Sequence, residues 1–159
     1  MLIDPAPHAL PIRIELADTD EARSSCAWLR REVFVAEQGV SEAEEFDGRD
    51  GEALHYLVRL GGEVVATARL LPEGGGCERV GRFAVARTMR GQGIGAALLR
   101  RIIAERAQAG VAALELHAQV QALDFYARFG FAPYGPRFDE AGIAHQAMRL
   151  ALAGSKERS

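Results

Sequence analysis

Three glycines, Gly91, Gly93 and Gly95, alternate where a helical apolar pattern begins, and Arg90 stands just ahead of them. The pattern runs through Ile94, Leu98 and Ile102, widened by Leu99 and Ile103, the stripe of a core-facing helix. Upstream, Phe83, Ala84 and Val85 form a continuous apolar run, as in a strand covered on both faces. A strand, a polar loop, a glycine turn and a helix leave backbone N–H groups without partners at the positive end of the helix dipole. Such a turn binds anions, phosphate above all. Arg90 is expected to add a full positive charge at its rim.

Three readings of this turn compete. The plainest is a loop that merely starts a core helix. The second is a dinucleotide fingerprint: Gly91, Gly93 and Ala96 satisfy G-x-G-x-x-G/A, with Glu115 downstream. Against it, Ala86 to Arg90 separate the strand from the first glycine, and Glu115 lies inside an apolar run between Leu114 and Leu116. Too little chain follows to complete a doubly wound sheet. The third reading rests on a family resemblance that needs the rest of the chain beside it.

The elements that would position the turn are legible in order. At 159 residues, the chain is expected to form one domain over 1–159, with a loose lead-in at 1–10 and a polar tail at 153–159. Ile12, Ile14 and Leu16 alternate with Arg13 and Glu15, the mark of a strand. Asp18 is the expected N-cap of the next helix, with Glu21 completing a capping box. That helix presents Ala22, Cys26, Leu29 and Val33 on one face and stops at Gly39. Residues 54–60 and 63–70 flank Gly61-Gly62 as a hairpin. The next strand, through Val85, extends it to an antiparallel meander. The helix from Ile94 closes at Gly110, and Val111 to Leu116 reads as a buried strand, completing a βαβ unit. A ligand belongs at the C-terminal ends of such strands, where the glycine turn lies. A short helix from Val120 to Gly130, a strand start at Phe131 and a last strand at His145 to Leu150 complete the chain. The fold expected is α+β: a three-layer α/β/α sandwich with a mixed, mostly antiparallel sheet and one parallel βαβ crossover.

Composition narrows the function. With 48% hydrophobic and 26% charged residues and a net charge of −3, the chain has neither the basic surface of a nucleic-acid binder nor a membrane-spanning run. Arg100, Arg101 and Arg106 are expected on a solvated helix face. Cys26 and Cys77, far apart and without a signal segment, suggest free thiols, and a cytoplasmic location is expected. No two histidines stand at metal-ligand spacing, so no metal is expected, and His55 reads as a packed histidine. From Glu37 to Glu52 the chain is strongly acidic. Most of these carboxylates read as solvated surface; the other reading is a negative field that draws in a cationic amine.

Arg90-x-x-Gly93-x-Gly95 resembles the acyl-CoA-binding motif Q/R-x-x-G-x-G/A of the GNAT N-acetyltransferases. Phe125-Tyr126 followed by Gly130-Phe131 resembles the second hallmark of that family, in the right order and spacing. The resemblance covers essentially the whole chain. Residues 34–38, 47–50, 68–72 and 138–145 are similar to the ElaA-like bacterial branch. The family implies acetyl-CoA as cosubstrate and direct transfer to a primary amine in a ternary complex. Phe83, Ala84 and Val85 would run along the pantetheine arm, and Arg90, Gly91, Gln92, Gly93, Ile94, Gly95 and Ala96 would hold the pyrophosphate. The Val85 N–H would polarise the thioester carbonyl, and Tyr126 would act as general acid toward the departing sulfur. Glu37 and His117 are both open as the general base, and His145 as a base or a shaper of the acceptor pocket. The acceptor is a small-molecule amine or a protein amine. The exposed final strands leave room for a homodimer. A CoA-binding sensor or interaction module without turnover is the alternative from another class.

Overall fold

A computed structural model describes residues 11–152, so the expected lead-in and tail lie outside the described residues. Strand β1 (Ile12–Leu16) leads into helix α1 (Asp20–Arg30). The cap is Thr19, one residue later than expected: it is extended, and its hydroxyl accepts the Ala22 N–H at 3.1 Å. Asp18 falls outside the helix, so the expected capping box does not form. Ala22, Cys26 and Leu29 are buried as the periodicity requires. Beyond Arg30 the helix widens into a π-helical segment, Arg31–Glu37, with Gln38 N–H donating to Val33 C=O at 3.1 Å. Gly39, at φ +78°, ends it.

After the short helix α2 (Glu42–Glu45), strands β2 (Leu54–Leu60) and β3 (Glu63–Gly74) form the expected hairpin. Gly61 and Gly62 both have positive φ, +58° and +92°, the turn that matches strand twist and that glycine adopts without strain. Strand β4 (Cys77–Val85) completes the meander, and α3 (Ile94–Gln108) follows the glycine turn. Strand β5 runs Ala113–Gln119, later than the apolar run suggests. Val111 closes the end of α3, its N–H donating to Arg106 C=O, whereas His117 to Gln119 stay in the strand because the last strand pairs with them. Helix α4 (Leu123–Ala127) is shorter than expected. Then come β6 (Ala132–Pro133), β7 (Phe138–Glu140) and β8 (Ile143–Ala151).

The sheet order is β1-β2-β3-β4-β5-β8-β6, with β7 also paired to β8. All pairings are antiparallel except β4 with β5. Alternation along β2 shows both covered faces. Tyr56 and Val58 join the core beneath α3, with Leu98, Leu99 and Ile102. Leu57 packs on the other face with Ala22 and Cys26 of α1. The molecule is therefore the expected α/β/α sandwich.

Candidate active site

The site begins where two parallel strands part. Strands β4 and β5 pair only from Cys77 with Ala113 to Val80 with Leu116. Both continue, to Val85 and Gln119, without pairing to each other. A cavity of about 970 Å³ opens in this split, bounded by Gly81 to Val85 on one side and by Leu116, His117 and Gln119 on the other.

A bulge sharpens the divergence. Thr67 pairs with Ala84 and Arg69 with Gly81, so Ala68 faces both Arg82 and Phe83. Arg82 takes φ +49°, a left-handed conformation costly for a side chain, and is held there by its contacts with α2 and the following loop. Beyond the bulge, Ala86 N–H donates to Val65 C=O at 2.8 Å, making Val65 and Ala86 a hydrogen-bonded pair. Antiparallel pairs alternate, so the neighbouring Val85 turns its N–H and C=O away from β3, toward the split. Arg90 Nε donates to that C=O at 2.9 Å. The Val85 N–H faces the cavity side.

The glycine turn lies at the same end. Gly91 and Gly93 have φ of +78° and +82°, and Gly93 is the N-cap of α3, with no side chain capping the first amides. Replacing Gly93 with alanine forces a methyl group into left-handed backbone. Equilibrium denaturation should show a loss of about 1–2 kcal/mol. At Gly95 a Cβ would lie 3.4 Å from Phe83 Cε1 and from Val85 Cγ2, so the helix start sits tightly against β4. Uncapped amides at a helix start, beside an open strand edge, form a turn suited to an anion.

Arg90 does not stand as a free charge. Its guanidinium grips Glu37 at both oxygens, 2.6 and 2.8 Å, fastening the π-helical segment to the end of β4. The same bond holds the Glu37 carboxyl below its ordinary range, which makes it a weaker base, and Glu37 does not line the cavity. Gln92 lies outside the lining as well, whereas Arg90, Gly91, Gly93 and Ile94 to Ala96 contribute to it.

Tyr126 of α4 is buried, with Phe83, Phe125 and Phe131 around its ring. Burial alone pushes its phenol above the ordinary value, so the group stays protonated near neutrality. It lines the cavity. Across the split, His117 of β5 holds Glu140 through Nδ1 at 2.9 Å and keeps that carboxyl below its usual range. His145 lines the same region, its Nδ1 2.7 Å from Ile143 C=O.

Most carboxylates of the acidic stretch are exposed, as expected, but Glu45 is buried and Asp47 and Asp50 are drawn into ion pairs. Glu45 is 3% exposed and bonds Arg30, itself 2% exposed, at 2.8 Å; Arg82 joins the same carboxylate at 3.1 Å. Asp47 and Asp50 bind Arg69 at 2.9 and 3.1 Å, and Asp50 also bonds Arg30. Three arginines and three carboxylates thus form one network that anchors the bulge, with Glu45, Asp47, Arg69 and Arg82 on the cavity wall. Such density of negative charge is a sequence signal, but the arginine partners of these three carboxylates are 15 to 37 residues away. Arg106 also departs from the solvated face expected for it, pairing with Glu78 at 2.9 Å.

The network sets an acid response. Hydrogen bonding to Arg69 holds the Asp47 carboxyl far below its ordinary value. A carboxylate with a depressed folded pKa contributes stability that is full above the unfolded value, about 4, and lost as pH falls below it. Asp47→Asn should therefore be destabilised at pH 7, with the gap to the parent narrowing toward pH 2–3. Denaturant titrations at both pH values measure it.

With this geometry, the relationship to known proteins is direct. Residues 17–152 match the acetyltransferase (GNAT) domain family. The chain belongs to that family and is an acyl-CoA-dependent acetyltransferase. It is 31% identical over 135 residues to the uncharacterized N-acetyltransferase YjcF of Bacillus subtilis, covering 84% of this chain and 95% of that one. Among solved structures it is similar to an acyl-CoA N-acyltransferase from Pseudomonas aeruginosa, with TM-score 0.77, 30% identity and coverage of 89% and 99%. Escherichia coli ElaA is similar too, with TM-score 0.77, 26% identity and coverage of 88% and 98%.

Proposed function

We propose that the protein transfers the acetyl group of acetyl-CoA directly to a primary amine, with both substrates bound together. The observation that carries this reading is the continuity of the cavity. It runs from the glycine turn, past Val85 and Tyr126, through the split between β4 and β5, to His117 and His145. Two substrates can thus meet from opposite sides of the sheet.

Bound acetyl-CoA supplies an activated thioester. The amides of the turn bind its diphosphate, and the edge of β4 from Phe83 to Val85 aligns the pantetheine arm. The Val85 N–H stabilises negative charge on the carbonyl oxygen, an interaction strengthened where water is excluded. Tyr126 donates its proton to the leaving sulfur. His117 takes a proton from the amine; it lines the cavity, whereas Glu37 is spent on Arg90. Cys26 is buried on α1 and Cys77 opens β4, both away from the split, so no acyl-cysteine step is invoked. The amine is carried by a small molecule or by a protein.

The experiment is an initial-rate study of thiol release from acetyl-CoA with a panel of amines, small molecules and peptides. Lines that intersect when both substrates are varied support direct transfer. Parallel lines would contradict it by requiring an acyl-enzyme.

A further inference from the structure

The stretch 138–145 folds into a hairpin that the reaction above leaves half used. Ala141 and Gly142, between β7 and β8, both have positive φ, +53° and +76°, the conformation of a tight two-residue hairpin turn. The turn sets Glu140 opposite Ile143 and Phe138 opposite His145. Glu140, Ile143 and His145 all line the cavity.

Two contacts from this hairpin fix the His117 ring. Glu140 Oε1 lies 2.9 Å from Nδ1, and the Phe138 ring meets the imidazole edge to face at 5.0 Å. A carboxylate can only accept, so Nδ1 carries the hydrogen and Nε2 keeps the lone pair. Among the described residues no hydrogen bond engages Nε2. Phe138 is backed in turn by His145, stacked at 5.9 Å. The charged groups that act on the Glu140 carboxyl, besides His117, are His145 on β8 and Arg79 on β4, while Glu115 pairs with Arg149 farther along the same sheet. Among the described residues, Glu140 is the charged group that bonds the ring. The pair is open to solvent, at 30% and 44% exposure, and so adds little to stability.

We propose that Glu140 is the positioning residue for His117, holding the Nε2-acceptor tautomer and balancing the imidazolium that forms when an ammonium substrate gives up its proton. This rests on the function proposed above. The amine arrives as R–NH₃⁺, and one proton passes to His117 Nε2. As the C–N bond forms and the C–S bond breaks, Tyr126 gives its proton to sulfur and recovers one from the nitrogen, through water. His117 then releases its proton to solvent. The balance is one ammonium and one thioester to one amide, one thiol and one proton. The inference concerns the acceptor: the site takes amines in their charged form.

Glu140→Gln keeps shape and removes charge, and Glu140→Asp keeps charge but shortens reach. The imidazole ¹⁵N resonances of His117 are followed against pH in protein without acyl-CoA, and kcat/KM for the amine is measured across the same range. In the parent, Nε2 should read as the unprotonated nitrogen. In Glu140→Gln the amide can donate to Nδ1 as well as accept from it, so the hold on the Nε2-acceptor tautomer should be lost and the two nitrogens should read as a mixture. At neutral pH kcat/KM should fall about 10- to 100-fold, mainly in kcat. Glu140→Asp should recover the tautomer more than the rate. A tautomer unchanged in both variants would overturn the proposal. A tautomer that changes in Glu140→Gln while kcat/KM stays would overturn His117 as base, and the proposal with it. Failure of the acyl-CoA reading is distinguishable, since the resonance experiment needs no acyl-CoA.

Discussion

Tyr126→Phe should lower kcat by about 10²- to 10³-fold while leaving the affinity for CoA close to the parent's. The hydroxyl is the single atom removed, and the ring keeps its contacts with Phe83, Phe125 and Phe131. Burial is the cause of the raised phenol pKa, and a buried, protonated phenol can donate to a thiolate as the C–S bond breaks. The loss should fall on the chemical step, and a leaving group of lower pKa should restore part of it, because a better leaving thiol needs less help from an acid. Steady-state kinetics with acetyl-CoA and with an acetyl thioester of a more acidic thiol measure both effects. If kcat is unchanged, or the acidic thioester gives no recovery, Tyr126 is a core aromatic and another group protonates sulfur.

Arg30→Ala should cost about 3–5 kcal/mol of folding stability, the range for breaking a buried ion pair by removing one partner. Arg30 binds Glu45, Asp50 and the Glu45 C=O, and its guanidinium also lies over the Phe46 ring at 4.9 Å. Glu45, 3% exposed in the parent, would keep Arg82 as its bonded partner, and burial already raises its pKa against the pull of Arg30, Arg82 and Arg69. For a domain of this size, the loss corresponds to a melting point lower by about 10 °C. Removing both charges, as Arg30→Met with Glu45→Leu, should cost less than Arg30→Ala, since no charge is then stranded. Calorimetry on the three proteins decides it. Near-parent stability of Arg30→Ala would show that solvent reaches the network freely.

Much of the fold is written locally. Gly61-Gly62, the periodic stripe from Ile94 and the alternation at Ile12 to Leu16 each specify an element by conformational freedom or spacing, and these came out as expected. The short strand β6 and the π-helical segment carry no such signal: one depends on pairing with β8, the other on where Phe34 and Glu37 must land. At the site, the turn and the Phe125-Tyr126 pair are sequence motifs with local geometry. Glu140 was visible within 138–145, but its bond to His117 spans 23 residues and exists only once β5 and β8 pair. The role of Arg82 was hidden for a similar reason. A bulge needs two strands, and one strand's sequence does not show where the other gains a residue.

The split between β4 and β5, with its glycine turn, is the proposed acyl-CoA site. Thermal unfolding of the purified protein with CoA, acetyl-CoA, NAD or no ligand tests it most directly. A ligand that binds the native state raises the midpoint by mass action, about 2.7 kcal/mol of stabilisation at 100 times its Kd. The midpoint should rise with CoA and acetyl-CoA and stay in place with NAD. No rise with either CoA species, or a rise with NAD alone, would rule out an acyl-CoA site in the split.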